Sequence, residues 1–371
     1  MPAPDLHMVC FDRPWPPGYG GIQDVHYRWK AWCEAGHQIA LHAFDYGRQA
    51  DAQTPAWAGE VKLYKRSSFK KSGWGRLPYI VASRKNEALW QSLSKDNAPI
   101  WLEGQHSTAW LPKLRKAFPN RCIVVRCHNI EVDYYRGLAK NEHRIIPKFY
   151  FKWEAARLRK AEKILALASG LVVIRPGDRS HFEKFGRPVF LHYPGHPWKV
   201  EPNPNKALPM ALYHGDLSVI ENQAAVKWLL GLPWTGEFPL WIAGRGANAL
   251  AKQFPNKQVR WLESPGDTEL KQWMESCSVH VLPTNQNTGV KLKLLHALST
   301  GRPVLCNPAM VEGTGLEDFC HVKISEADWV KTLAEAQDGR LQAIKNQDLK
   351  KHPAFDPKRF EQVWNWLLCL E

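Results

Sequence analysis

Several absences narrow the reading of this sequence. No apolar run approaches the roughly 20 residues of a membrane-crossing helix, although 44% of the 371 residues are hydrophobic. Eight cysteines occur without a C-x-x-C pair, and Cys122 and Cys127 stand five apart. That spacing offers no zinc or redox motif, so reduced cytosolic thiols are expected. Met1-Pro2-Ala3-Pro4-Asp5 lacks a basic stretch followed by an apolar core, so no secretion signal is expected. There is no short-period repeat, no G-x-G-x-x-G fingerprint and no D-x-D triplet. The second half also lacks a charge excess. Residues 1–200 hold 32 Lys+Arg against 17 Asp+Glu, net +15, whereas residues 201–371 hold 18 against 19, net −1. A basic first half attracts nucleic acid, an anionic membrane face or a phosphorylated substrate.

What is present is a strand–helix rhythm. Leu6 to Phe11 reads as a strand, followed by a glycine-rich loop from Pro14 to Gly21, a helix from about Ile22 to Glu34 and a strand from His37 to Phe44. The loop containing Gly20 and Gly21 is either an anion-binding loop or a tight turn that needs glycine. Val61 to Arg66 is a strand, followed by Lys65, Arg66, Lys70 and Lys71 clustered with Phe69 and Trp74. Helices are expected over 78–93 and 106–118, with strands over 100–103 and 122–127. His128-Asn129 then lies at a strand's carboxyl end, and Asn129 can cap a helix carrying Glu131 and Asp133 in its first turn. His128 is either a substrate-facing group or a packing histidine. A long helix over 147–167 interleaves Phe149 and Trp153 with many bases, a pattern shared by membrane-surface helices and by solvated core helices.

Pro194, Pro197, Pro202, Pro204 and Pro209 crowd one stretch, which excludes helix and central strand there. The expected organisation is therefore a first domain over 1–193, a linker over 194–209, a second domain over 210–345 and a final helix over 346–371. In the second domain, strands end at His214-Gly215-Asp216 and at Gly244-Arg245-Gly246. Ser278 to Pro283 and Pro303 to Cys306 read as buried strands around a helix rich in leucine. Asn287 or Thr288 is expected to cap that helix, with Lys291 and Lys293 in its first turn and Gly301 ending it in a left-handed turn. Gly289, Lys293 and His296 would share one stripe. A strand's carboxyl end meeting a helix amino end suits phosphate, with Gly289 allowing close backbone approach.

Gly20-Gly21-Ile22-Gln23, Glu34-Ala35-Gly36-His37, Arg126-Cys127-His128-Asn129-Ile130-Glu131, Gly244-Arg245-Gly246 and Gly289 to Pro303, in this order, resemble the GT-B glycosyltransferases, and family 4 most closely. The resemblance covers nearly the whole chain. It implies an α/β fold of two Rossmann-like doubly wound domains facing a cleft, with the C-terminal helix crossing back to the first domain. It implies sugar transfer from a UDP- or GDP-linked nucleotide-sugar to an acceptor hydroxyl, with retention, without a metal, and with no cofactor beyond that co-substrate. His128 would face the reacting sugar. Gly215, Gly244, Arg245, Thr288, Gly289, Val290, Lys291, Lys293 and His296 would bind the donor, and Gly20, Gly21, Arg126 and Asn129 would form an acceptor or phosphate loop. Many relatives carry two glutamates where this chain has Thr288 and His296. The implied acceptor is a saccharide or lipid-linked glycan of the cell envelope, and the implied location is cytoplasmic or peripheral on the inner membrane face. A nucleotide-sugar epimerase of the same fold and a basic nucleic-acid binder are the alternatives. The latter has no zinc spacing, RNP-like strand or recognition helix to support it.

Overall fold

The computed structural model describes residues 3–47, 52–73, 75–200, 206–255, 258–343 and 346–370. Trp74 and five expected linker residues, Glu201, Pro202, Asn203, Pro204 and Asn205, lie outside them. The chain divides into two compact units, Met1–Pro197 with Pro357–Glu371, and Trp198–Asp356. The second unit thus runs past residue 345.

In unit 1, seven parallel strands stand in the order β3-β2-β1-β4-β5-β6-β7. They are β1 (Leu6–Cys10), β2 (Ile39–Asp45), β3 (Val61–Lys65), β4 (Ile100–Glu103), β5 (Ile123–Cys127), β6 (Gly170–Val173) and β7 (Val189–Leu191). The helices are α1 (Gly20–Glu34), α2 (Phe69–Ser72), α3 (Tyr79–Ala82), α4 (Glu87–Leu93), α5 (Leu111–Ala117), α6 (Glu131–Asn141), α7 (Ile145–Ala161) and α8 (Arg179–Glu183). Strand alternation separates two apolar cores. Met8, Trp101 and Val124 join Trp29 and Trp32 of α1 on one side, while Val9, Leu102 and Val125 join Leu89 and Leu114 on the other. Strands buried on both faces explain the near-continuous apolar runs.

Three helix expectations need correction. Residues 78–93 form two short helices, because Asn86 turns the chain and accepts from the amides of Ala88 and Leu89 to start α4. Residues 105–110 are a 3₁₀ segment ahead of α5. Ile130, not Asn129, is the N-cap of α6, and it makes no side-chain cap.

Unit 2 has six parallel strands in the order β10-β9-β8-β11-β12-β13. These are β8 (Leu208–His214), β9 (Leu240–Gly244), β10 (Val259–Glu263), β11 (Cys277–Leu282), β12 (Val304–Cys306) and β13 (His321–Val322). They alternate with α9 (Ile220–Leu230), α10 (Ala247–Gln253), α11 (Asp267–Ser276), α12 (Leu292–Ser299), α13 (Pro308–Val311), α14 (Glu326–Gln337) and α15 (Asn346–Leu349). Pro209 falls in the exposed start of β8, a strand position that tolerates a missing amide donor.

The last helix, α16 (Arg359–Leu368), returns to unit 1, as expected of an apolar C-terminal helix. Val363, Trp364 and Leu367 are buried in the core that contains α1. Trp32 Nε1 donates to the Phe360 carbonyl at 3.0 Å, which fixes the helix against α1. All eight cysteines are free thiols.

Candidate active site

Strand order reverses between β1 and β4 in unit 1 and between β8 and β11 in unit 2. In open parallel sheets, ligands bind outside the carboxyl ends of strands at such points. Each unit holds unusual polar groups there.

In unit 1 these groups form a buried ion cluster. Asp24 of α1 receives Arg28 Nη1 at 2.8 Å, Arg126 Nη2 at 3.0 Å and the Gly195 amide at 2.7 Å. Glu103, which ends β4, accepts from Trp101 Nε1 at 2.7 Å and pairs with Arg28. His128 follows β5, with Nε2 3.0 Å from Glu103 and Nδ1 3.4 Å from Asp24. Two guanidinium groups therefore face two carboxylates, which is how buried charge is made tolerable. Burial alone would raise the Asp24 carboxyl, but Arg126 and Arg28 hold it far below the usual range. Glu103 is likewise held down, against burial, chiefly by Arg28. Burial lowers the Arg126 guanidinium to about 10, with Arg28 adding to the effect. Phe11 packs edge-on against His128 at 5.5 Å.

The expected acceptor-loop residues are placed differently. Gly20 and Gly21 form the first turn of α1 rather than the loop before it. Tyr19 reaches back to Asp12 at 2.9 Å, and this holds the loop entering the helix. Arg126 is fully buried, and its donors go to Asp24 and to the carbonyls of His192 and Tyr193. Asn129 hydrogen-bonds Glu131, whose carboxyl is raised to about 7, mainly by burial. Asp24, Arg28 and Glu103 were not singled out from sequence. Their signal was there: an i,i+4 ion pair on the apolar side of α1, and a carboxylate closing the run Ile100-Trp101-Leu102.

In unit 2, β8 and β9 are drawn together at their carboxyl ends. Gly244 has φ +148°, and a Cβ there would lie 1.8 Å from the Gly215 carbonyl, so only glycine fits. Leu217 N donates to the Arg245 carbonyl at 2.8 Å. Arg245 itself is exposed and paired with Asp216. Glu263 accepts from the amides of Gly246 and Asn248, both at 2.8 Å, and so occupies the start of α10.

Helix α12 starts later than expected. Its N-cap is Lys291 in extended conformation, so neither Asn287 nor Thr288 caps it. Gly289 precedes it with φ +64°, a left-handed residue that turns the chain into the helix. Lys291 Nζ donates to the Thr288 carbonyl at 2.9 Å, and Gln286 donates to the Thr288 hydroxyl at 2.9 Å. Val290 is buried. The helix ends as expected, with Gly301 at φ +71°.

Lys293 and His296 point toward β8. Lys293 Nζ donates to Asn222 Oδ1 at 2.8 Å and to the Tyr213 hydroxyl at 3.0 Å, and burial lowers its amine to about 7. Asn222 in turn donates to the Asp216 carbonyl at 2.8 Å, which ties the loop after β8 to α12. Lys293 thus anchors this loop, a role that its position in a lysine-rich helix did not announce. His296 stacks on Trp198, with ring centroids 4.1 Å apart and planes 7° from parallel, and burial lowers its imidazole to about 4. His214 ends β8 edge-on to His296 at 5.7 Å. His214 is buried, and neither ring nitrogen has a hydrogen-bond partner among the described residues. Burial holds it well below the usual histidine range.

Residues 209–337, which contain this second site, match the family described as Glycosyl transferases group 1. This segment is a group 1 glycosyltransferase domain. The chain is also 24% identical over 334 residues to a Klebsiella pneumoniae protein named "Uncharacterized 44.6 kDa protein in cps region", covering 83% of this chain and 84% of that one. Sucrose-phosphate synthase of Thermosynechococcus elongatus superimposes with a TM-score of 0.68 at 14% identity, over 99% of this chain and 100% of that one. HepE of Anabaena in complex with UDP and glucose gives 0.65 at 13%, over 98% and 99%. The lipopolysaccharide outer core galactosyltransferase WaaB in its apo form gives 0.63 at 15%, over 98% and 99%. These likenesses establish the GT-B fold over the whole chain. Together with the domain match they meet the expectation of a GT-B glycosyltransferase.

Proposed function

We propose that the chain transfers a sugar from a UDP- or GDP-linked nucleotide-sugar to a saccharide or lipid-linked acceptor hydroxyl, as a family 4 member acting in the cytoplasm in envelope glycan or polysaccharide synthesis. The observation that carries this reading is the group 1 glycosyltransferase domain, whose strand-order reversal coincides with the loop from Gly289 to Lys291 and with His214. A departing diphosphate needs positive electrostatic surroundings more than it needs any one group. Backbone amides around Gly289 and the start of α12, with Lys291 adjacent, can supply them without a cation. His214 offers a neutral imidazole with unused hydrogen-bonding capacity to the same ligand. His128, fixed between Glu103 and Asp24, is suited to orient a sugar hydroxyl. The name of the Klebsiella relative, which refers to a cps region, supports a polysaccharide role.

The test is a thermal-shift panel of UDP, GDP, ADP and their sugars. A nucleotide supplied at about 100 times its dissociation constant should stabilise by roughly 2.7 kcal/mol. Transfer that persists in EDTA and retains anomeric configuration completes the reading. Consumption of the nucleotide-sugar without an acceptor would favour the epimerase, and no shift with any nucleotide would refute both.

A further inference from the structure

The two basic stretches noted in the sequence lie far apart in the chain and meet in unit 1. Arg157 of α7 donates to the carbonyls of Gly73 at 2.8 Å, Gly75 at 2.6 Å and Leu77. Glu154 accepts from the Tyr79 amide at 2.8 Å, and the Phe69 and Tyr150 rings lie 5.8 Å apart. Lys65, Lys70, Lys71 and Arg76 are exposed on one stretch, and Lys152, Arg159 and Lys160 on the other.

Nearby acidic groups do not offset this charge. Glu131 and Glu154 are buried. Asp133 and Glu142 are paired with Arg136 and Arg144, both at 2.9 Å. Glu162 faces His181 at 3.2 Å.

The same surface exposes large apolar side chains. Ile145 is 72% exposed, Ile146 82%, Phe149 67% and Trp153 39%. At helical periodicity these four positions fall within an arc of about 100°. Ala155, Leu158 and Ala161 of the same helix are buried, so α7 covers its core with other residues. A contiguous exposed apolar stripe with a basic surround marks an interaction surface. Aromatic and aliphatic groups over a basic face match an anionic lipid surface, where headgroup charge and the acyl boundary are both within reach. Nucleic acid would reward the lysines and leave the isoleucines in water. Among the described residues no helix is long and apolar enough to cross a membrane.

We propose that the face built from α7, residues 65–73 and residues 75–76 docks this chain on an anionic phospholipid bilayer, with Ile145, Ile146, Phe149 and Trp153 entering the headgroup boundary. This inference is independent of the transfer reaction. Its test is co-sedimentation of the full chain with phosphatidylcholine vesicles, with and without phosphatidylglycerol. Binding is expected only to the anionic vesicles. A double variant, Lys71→Gln with Lys152→Gln, takes one charge from each stretch and should weaken binding about 30-fold, since each base near such a surface contributes about 1 kcal/mol. Ile146→Asp with Phe149→Asp removes two apolar anchors and adds two negative charges, and should abolish most of the binding. Both variants alter exposed side chains, so circular dichroism and the nucleotide-induced melting shift should match the parent chain. Absence from anionic vesicles at low salt, equal binding to neutral vesicles, an Ile146→Asp/Phe149→Asp variant that binds like the parent, or displacement of vesicles by labelled RNA would each overturn the proposal.

Discussion

His128 in unit 1 and His214 in unit 2 both lie at the carboxyl end of a strand close to the reversal of strand order. Their surroundings differ in kind. His128 has a carboxylate beside each ring nitrogen, and those carboxylates are held by Arg28 and Arg126. Among the described residues His214 has no hydrogen-bond partner at either nitrogen, and its neighbours are His296, His280 and the amine of Lys293, all of them pushed toward neutrality by burial. One region keeps its charges and pairs them, whereas the other sheds charge. Paired charges give fixed orientation before any ligand arrives. A neutral, unsatisfied site gains most of its interactions when the ligand arrives.

The largest effect should come from breaking the paired side. Asp24→Ala leaves Arg28 and Arg126 with too little compensating charge in a buried place, and should cost about 3–5 kcal/mol in chemical denaturation. The same residue sets the acid limb. Asp24 and Glu103 have depressed folded values, so the stability they contribute is present above their unfolded values of 3.8 and 4.5 and is lost as pH falls through the folded ones. Asp24→Ala should flatten that loss.

Unit 2 should respond on the opposite side of the pH scale. Lys293 has a folded value of about 7 against 10.5 unfolded, so between these values the unfolded chain binds more protons and stability rises with pH. The rise should be on the order of 3 kcal/mol. Lys293→Met should remove it in urea titrations run from pH 7 to 10. A variant that keeps the full rise would show that Lys293 is not the group responsible.

Function should separate the two histidines next. His128→Ala should lower turnover about 10- to 100-fold, the worth of a hydrogen bond in a charged setting, with UDP affinity nearly intact. His214→Ala should weaken UDP binding instead. Equal losses in both measurements for both variants would erase the contrast. The smallest effect concerns the Trp198–His296 stack: Trp198→Leu should cost about 0.5–1.5 kcal/mol beyond its lost area, read from the melting of unit 2.

The sequence by itself determined the repeating strand–helix architecture, because apolar runs of strand length and leucine-rich helical stripes are local patterns that persist in any context. It also marked the turn at Gly301, the carboxyl-end positions of His128 and His214, and the apolar C-terminal helix that had to be covered. Motif order sufficed for the GT-B assignment. Only the tertiary structure decided what the charged residues do. Lys291 and Lys293 look alike two positions apart, yet one stands at the N-cap of the helix with its amine on the Thr288 carbonyl, and the other is tied to Asn222 and Tyr213. Arg126 looked like a ligand group and became an internal partner of Asp24, a residue 102 positions away. Charge pairing and burial depend on which strands become neighbours, and strand order, unlike periodicity, is set by contacts across the whole chain.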